Sequence, residues 1–141
     1  MQLPEHLQHF PHPALILVSD SVKAKFFLAG GDSLQELDGV FVPRGNEKTE
    51  PSPDGKRIAG FDADVDDGPR LHDFIHQLVA KTDALVKQHG IAHIHLVMPA
   101  EVEHQFSGHL PKEDKEKIGQ TLHHDLMNED PLKIIERLLN D

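Results

Sequence analysis

The first half of the chain carries three apolar segments of strand length. Residues 14–18 are continuously apolar, which predicts a strand that is buried on both faces. Residues 22–28 begin with an apolar and polar alternation, and residues 34–42 contain a further apolar pattern, so each predicts one more strand. Between them, Gly30-Gly31-Asp32-Ser33 supplies the residue types that a tight hairpin turn requires. The pattern predicts an antiparallel meander of three strands.

The second half alternates helical and strand patterns. Apolar positions with a 3.6-residue period predict a helix from Leu71 to a C-cap at Gly90, and residues 91–98 predict a parallel strand after it. We expect helices at 100–107 and 111–117 and a last strand at 120–127. Asp130 is expected to cap a final helix, whose buried positions are Leu132, Ile135, Leu138 and Leu139. The predicted order is β-β-β-α-β-α-β-α, which is an α/β domain with a mixed sheet and helices packed on it.

Two segments have little regular pattern. Residues 1–13 contain three prolines and three histidines, and we predict a mobile N-terminal arm. Residues 43–69 combine prolines, glycines and many charges, and we predict a disordered loop. The remaining pattern fits one domain over residues 14–141, since 141 residues suit a single hydrophobic core.

Composition excludes several classes of protein. The chain has no cysteine, which removes disulfides, thiolate metal sites and thiol catalysis. No apolar run has the length of a membrane span, and the first residues do not follow the order of a signal peptide. We therefore expect a cytoplasmic protein without a membrane partner.

The charge balance is acidic, with 14 Lys and Arg against 24 Asp and Glu, for a formal net charge of −10. Duplex DNA is not an expected partner, because phosphate affinity comes from concentrated Lys and Arg. The chain has 12 histidines, and an unperturbed imidazole changes charge just below neutral pH. This allows either a pH sensor or, more simply, a solubility that falls near the isoelectric point.

Short motifs along the chain carry a family resemblance. They are LILVSD at 15–20, AKFF at 24–27, LVMPA at 96–100, HDL at 124–126 and IIERL at 134–138. In order and spacing they resemble the bacterial host-attachment protein family, which is related in fold to the middle domain of archaeal and eukaryotic peptide-chain release factors. The resemblance implies a three-layer, RNase H-like α/β fold.

The sequence departs from release factors at their functional tip. Release-factor middle domains carry Gly-Gly-Gln, whereas here the pair Gly30-Gly31 is followed by Asp32, and Gly119-Gln120 has a single glycine. The leading hypothesis is a non-catalytic interaction module with a protein partner, and the first alternative is a ribosome- or RNA-associated factor. The candidate binding residues are Asp20, Lys23, Lys25, His124 and Asp125. Asp20 and Asp125 have a simpler interpretation as turn residues that accept backbone hydrogen bonds.

The best metal candidate is the pair His93 and His95. On a strand the two side chains share one face, and His123 or Asp125 on a neighbouring strand could add further ligands to a zinc ion. A metal-dependent hydrolase is therefore the second alternative for function. A polar sheet face with hydrogen-bonded imidazoles explains the pair more simply, so we expect no cofactor and lean against an enzyme.

Three other patterns are weaker metal candidates. His72 and His76 lie one helical turn apart, as in zinc proteases, but no third ligand can be assigned from the sequence. Residues 62–68 place carboxylates like a calcium loop, although the glycine and the final ligand are wrong for one. The segment 1–13 adds the evenly spaced His6, His9 and His12.

Overall fold

Five strands form one mixed sheet in the computed structural model, which describes residues 1–42 and 59–140, with side chains for 1–42 and 68–140. The strands are β1 (Ala14–Ser19), β2 (Lys23–Gly30), β3 (Ser33–Phe41), β4 (His93–Val97) and β5 (Ile118–Leu122). Their order across the sheet is β3-β2-β1-β4-β5. The pairs β1–β2 and β2–β3 are antiparallel, whereas β1–β4 and β4–β5 are parallel. The predicted mixed α/β sheet with its N-terminal meander is confirmed.

Four helices accompany the sheet in the part of the chain that the structure describes. They are α1 (Ala59–His89), α2 (Ala100–His109), α3 (Lys112–Lys115) and α4 (Pro131–Asn140). The predicted cap of α4 is present, because Asp130 Oδ1 accepts a hydrogen bond of 2.8 Å from the backbone N–H of Leu132. None of the helices that the structure describes is both long enough and apolar enough to cross a membrane.

The sheet separates two hydrophobic cores. Every residue of β1 is buried, because its side chains alternate between the two faces and both faces are covered. The first core packs α1 and α2 on one face, and its largest members include Leu17, Phe26, Phe74, Leu96 and Phe106. The second core packs α4 on the other face, and its members include Ile16, Val18, Phe27, Ile135 and Leu138. The domain therefore has three layers, with α1 and α2 on one side of the sheet and α4 on the other.

The segment 1–13, predicted to be a mobile arm, is packed against the second face. Leu3, Leu7 and Phe10 are buried in the second core, and a 3₁₀ turn at Glu5–Leu7 brings them to one side. The backbone N–H of Leu3 donates to the carbonyl of Asp32 at 2.7 Å. The prediction was wrong because α4 alone does not cover this face, and three apolar residues spaced three or four apart complete it.

The predicted loop at 43–69 is also wrong over its last part. Residues 43–58 lie outside the described residues, but the chain is helical from Ala59, and Pro69 lies within α1. Buried Leu71, Phe74 and Ile75 hold the helix on the sheet, so packing overrides the helix-breaking tendency of Pro69. The calcium-like pattern at 62–68 therefore lies on helical backbone, which is not the geometry of a calcium loop.

Turns are predicted more accurately than the last strand. Gly31 in the hairpin and Gly90 after α1 adopt φ of 57° and 61°, the left-handed conformation that favours glycine. The last strand is Ile118–Leu122, whereas the sequence predicted 120–127. The apolar residues Leu126 and Met127 extended the predicted strand, but they lie in the turn before α4 and pack into the second core.

Candidate functional site

One edge of the sheet gathers most of the predicted binding residues. The carboxyl ends of the parallel strands β1, β4 and β5 lie side by side, since Val18 pairs with Val97 and Val97 pairs with Leu122. In open α/β sheets this is the edge where ligands usually bind. We call it the carboxyl edge, and it comprises Asp20, Lys23, His123, His124 and Asp125.

Asp20 holds the turn between β1 and β2. Its Oδ1 accepts hydrogen bonds from the backbone N–H groups of Val22 at 2.7 Å and Lys23 at 2.8 Å. The simpler interpretation of Asp20 as a turn residue therefore describes its contacts. The turn presents the Lys23 side chain, which is exposed, at the carboxyl edge.

Lys25 connects β2 to the turn that follows β5. Its Nζ donates a hydrogen bond of 2.9 Å to the carbonyl of Met127. Asp125 stabilises the same turn, because its Oδ1 accepts a hydrogen bond of 3.2 Å from the N–H of Met127. Lys25 and Asp125 are thus positioning residues for the carboxyl edge, and His124 lies exposed in the turn that they hold.

Arg70 is a structural residue of this edge that the sequence reasoning did not find. Its Nη1 donates to the carbonyl of Ser21 at 2.9 Å and to the carbonyl of Val42 at 3.0 Å. It therefore joins α1 to the β1–β2 turn and to the end of β3. The residue lies just beyond a segment that was predicted to be disordered, and no local pattern indicated its two acceptors.

A carboxylate–imidazole pair completes the carboxyl edge. His123 Nε2 lies 3.0 Å from Glu103 Oε1, so the two side chains link β5 to α2. Ser107 Oγ donates to Glu103 Oε2 at 2.7 Å. This hydrogen bond lowers the pKa of Glu103 against the effect of burial, and His123 adds to the lowering. Glu103 is therefore a charged acceptor that orients the His123 ring.

His93 and His95 share one face of β4, as predicted, and line a cavity of about 240 Å³ beneath the N-terminal segment. His95 Nδ1 accepts a hydrogen bond of 3.2 Å from the backbone N–H of Gln120, which leaves the ring proton of the neutral form on Nε2. Burial lowers the pKa of His95, and His93 adds to this effect. Phe10 contacts the His95 ring edge-on, with centroids 6.0 Å apart.

The structure does not bring the proposed zinc ligands together around this pair. His123 contacts Glu103, and Asp125 contacts the backbone of Met127. Within residues 1–42 and 68–140, no third histidine or carboxylate lies close enough to His93 and His95 to complete a metal site. His95 instead accepts the hydrogen bond from the backbone N–H of Gln120.

A different set of histidines does come together. His72 and His76 lie beside each other on α1, and His109 at the end of α2 lies against both. The sequence supplied the α1 pair, but it could not place His109, because the packing of α2 on α1 brings that residue in. His6 and His9 form no such group: His9 Nε2 contacts the carbonyl of His6, and the His6 ring lies near Glu136.

No family model matches the sequence, and no curated protein matches it. Solved structures share the fold. The archaeal translation termination factor aRF1 matches with a TM-score of 0.54 at 13% identity, over 89% of this chain and 37% of that chain. A structure described as an archaeal protein matches with a TM-score of 0.53 at 11% identity, over 91% of this chain and 36% of that one. The chain thus spans little more than a third of either, and the likeness confirms the release-factor-like fold alone.

Proposed function

We propose that this chain is a non-catalytic binding module that contacts the ribosome through its carboxyl edge. The observation that supports this proposal is the fold, which matches part of an archaeal translation termination factor over 89% of the chain. The absence of a Gly-Gly-Gln tip from the sequence argues that the module binds without releasing peptide. Fold alone does not determine function, so the proposal depends on the surface and its test.

The use of polar groups at the carboxyl edge supports binding over catalysis. Asp20, Lys25 and Asp125 form hydrogen bonds that hold turns, and Glu103 orients His123. These contacts make a rigid edge that presents Lys23 and His124 to a partner. A general acid or nucleophile would need a reactive group directed into a cavity, whereas Asp20, Lys25 and Asp125 contact the protein backbone, and Glu103 and His123 contact each other.

The charge of the chain sets the expected strength and salt dependence of ribosome binding. With a net charge of −10, the whole surface repels phosphate, so attraction must come from local cations such as Lys23. Binding through one or a few phosphate contacts loses affinity with salt only modestly. We therefore expect binding that is weak, specific to one surface, and reduced by raised salt.

The proposal is tested by co-sedimentation of the untagged chain with ribosomes from its own host at low and raised salt. The test variant is Lys23→Glu, which reverses an exposed charge at the carboxyl edge. The matched control is Lys115→Glu on α3, which precedes β5 and so lies at the opposite edge of the sheet. We expect the wild type and Lys115→Glu to co-sediment at low salt, and Lys23→Glu to remain in the supernatant.

Two outcomes contradict the proposal. If the wild type stays in the supernatant at both salts, ribosome binding is rejected, and a protein partner of the kind implied by the host-attachment resemblance replaces it. If both variants lose binding equally, the attraction depends on net charge and not on the carboxyl edge. Membership of the host-attachment family is a separate proposal, which the motifs at 15–20, 24–27, 96–100, 124–126 and 134–138 support.

A further inference from the structure

Three imidazoles converge where α1 and α2 pack together. The ring centroids of His72 and His76 are 4.2 Å apart, and the ring of His109 lies 6.0 Å from the first and 5.4 Å from the second. One ring nitrogen from each residue can be chosen so that all three lie within 4.8 Å of one another. All three side chains are exposed, so they can adjust and an ion can reach them.

The distances suit a small ion with tetrahedral preferences after a modest rearrangement. Zinc binds imidazole nitrogen at about 2.0–2.1 Å, which places two ligand nitrogens of a tetrahedron about 3.3 Å apart. The nitrogens need to approach by about 1.5 Å at most, which rotation of exposed side chains supplies. The spacing of His72 and His76 by four residues keeps both on one side of α1.

The hydrogen bond of His109 favours the tautomer that a metal ligand needs. Its Nδ1 lies 2.9 Å from the backbone carbonyl of Gln105, and since a carbonyl only accepts, Nδ1 carries the proton. Nε2 of the neutral ring therefore presents its lone pair. Histidines that bind metals commonly donate their other N–H to a carbonyl or carboxylate in this way, which fixes the tautomer and the ring orientation.

We propose that His72, His76 and His109 bind one divalent transition-metal ion of the zinc class, with water in the fourth position. Three neutral nitrogen ligands favour zinc, nickel or copper and disfavour calcium and magnesium, which prefer oxygen. The ion cross-links α1 to the end of α2 and so stabilises their packing. This site is separate from the carboxyl edge, and it does not depend on ribosome binding.

The first experiment measures binding of ZnCl₂ to the whole chain by calorimetry, after treatment with a chelator. We expect one tight equivalent per chain in the wild type. Removing one ligand with His109→Ala on α2, or with His72→Ala on α1, should weaken that equivalent at least tenfold. The matched control is His104→Ala, which removes another exposed histidine from α2 outside the cluster. Circular dichroism verifies that each variant is folded.

The second experiment separates this site from the other histidines of the chain. Imidazole nitrogen NMR signals of His72, His76 and His109 should shift together during the first equivalent of ZnCl₂, with His109 bound through Nε2. The melting temperature should rise with ZnCl₂ in the wild type and in His104→Ala, and not in His109→Ala. The proposal is overturned if the signals of His93 and His95 shift first, or if His104→Ala loses as much affinity as His109→Ala.

Discussion

The carboxyl group of Asp114 on α3 is fully buried, and it lies close to that of Asp83 on α1. Lys87 Nζ donates to Asp83 Oδ2 at 2.9 Å, while no N–H or hydroxyl of the described chain serves Asp83 Oδ1 or either oxygen of Asp114. A proton on one oxygen of Asp114, donated to Asp83 Oδ1, gives one of these oxygens on each carboxyl group a partner. Burial, followed by the hydrogen bond and charge of Asp83, raises the pKa of Asp114 to about 6.

The protonated Asp114 predicts a stability that falls as pH rises. Because the pKa of Asp114 in the folded chain lies above the ordinary aspartate value of 3.8, the folded chain binds the extra proton between about pH 4 and 6, and the free energy of unfolding decreases across that window. Asp114→Asn keeps a donor for Asp83 and removes the titration. We expect its free energy of unfolding, relative to wild type, to be higher at pH 7.5 than at pH 4.5 by about 2 kcal/mol.

Urea unfolding of both proteins at the two pH values checks this prediction. The pKa of Asp83 is lowered, by the hydrogen bond from Asp114 first and by Lys87 next, so its own contribution is lost only below the window. Histidine titration cancels in the difference between the two proteins. Glu116→Gln, which removes an exposed carboxylate just after α3, is the control and should leave the pH dependence unchanged. An Asp114→Asn variant that is equally destabilised at both pH values contradicts the shared proton.

Loss of Arg70 should loosen the carboxyl edge from α1. Arg70→Ala leaves the carbonyls of Ser21 and Val42 without this donor, and we expect a loss of about 2–3 kcal/mol in the free energy of unfolding. Amide exchange should increase at Val42, whose N–H donates to the carbonyl of Val22. Arg137→Ala, which truncates an exposed arginine on α4, is the control. Equal exchange at Val42 in both variants would be evidence against the bridging role.

Substitutions of Lys25 and Lys23 should distinguish a residue that stabilises the fold from one that is only exposed at the carboxyl edge. Lys25→Met removes the hydrogen bond to Met127, so we expect a loss of about 1 kcal/mol in stability and faster amide exchange in the turn 123–129. Lys23→Met, two residues earlier and exposed, should leave the free energy of unfolding within about 0.5 kcal/mol of the wild type. Chemical denaturation with hydrogen exchange measures both. The assignment fails if the two variants lose the same stability.

Two glycines should respond in opposite directions to alanine. A Cβ at Gly39 on β3 clashes with the carbonyl oxygen of Ala24 on β2, near an irregularity in the pairing of these strands. Gly39→Ala should therefore cost about 1–3 kcal/mol by forcing the strands apart. A Cβ at Gly108 on α2 meets nothing within 4 Å, and Gly108→Ala should raise stability by about 0.5–1 kcal/mol. Thermal denaturation of the two variants, compared with wild type, gives both signs.

The local sequence pattern correctly predicted those elements that a few adjacent residues are enough to define. The continuous apolar run of β1, the hairpin at Gly31 and the end of α1 at Gly90 were each indicated by a few adjacent residues. The N-terminal segment was not, because Leu3, Leu7 and Phe10 gain their burial from a sheet face formed by distant strands. Its prolines and histidines are common to mobile segments and to packed ones without regular structure.

In the candidate sites too, contacts between residues close in sequence were predictable, and contacts between distant residues were not. Asp20 and Asp125 were identified as turn residues because their partners lie two or three positions away. Arg70 contacts carbonyls 49 and 28 residues distant, and periodicity carries no information about such contacts. His109 reaches the α1 histidines only because α2 packs against that helix. Sequence spacing could supply two ligands of a metal site but not the third.

The position of β1 has a consequence for how the chain is made. β2 follows β1 after a short turn, whereas its other neighbour, β4, comes roughly 75 residues later. At about 5–20 residues per second, the meander is complete several seconds before β4 is synthesised. During that interval the most apolar strand of the protein has an unpaired edge. Aggregation during synthesis should therefore begin where the edge at Leu15–Leu17 pairs with the same strand of another nascent chain. Slower translation of the segment between β3 and β4 should increase this aggregation.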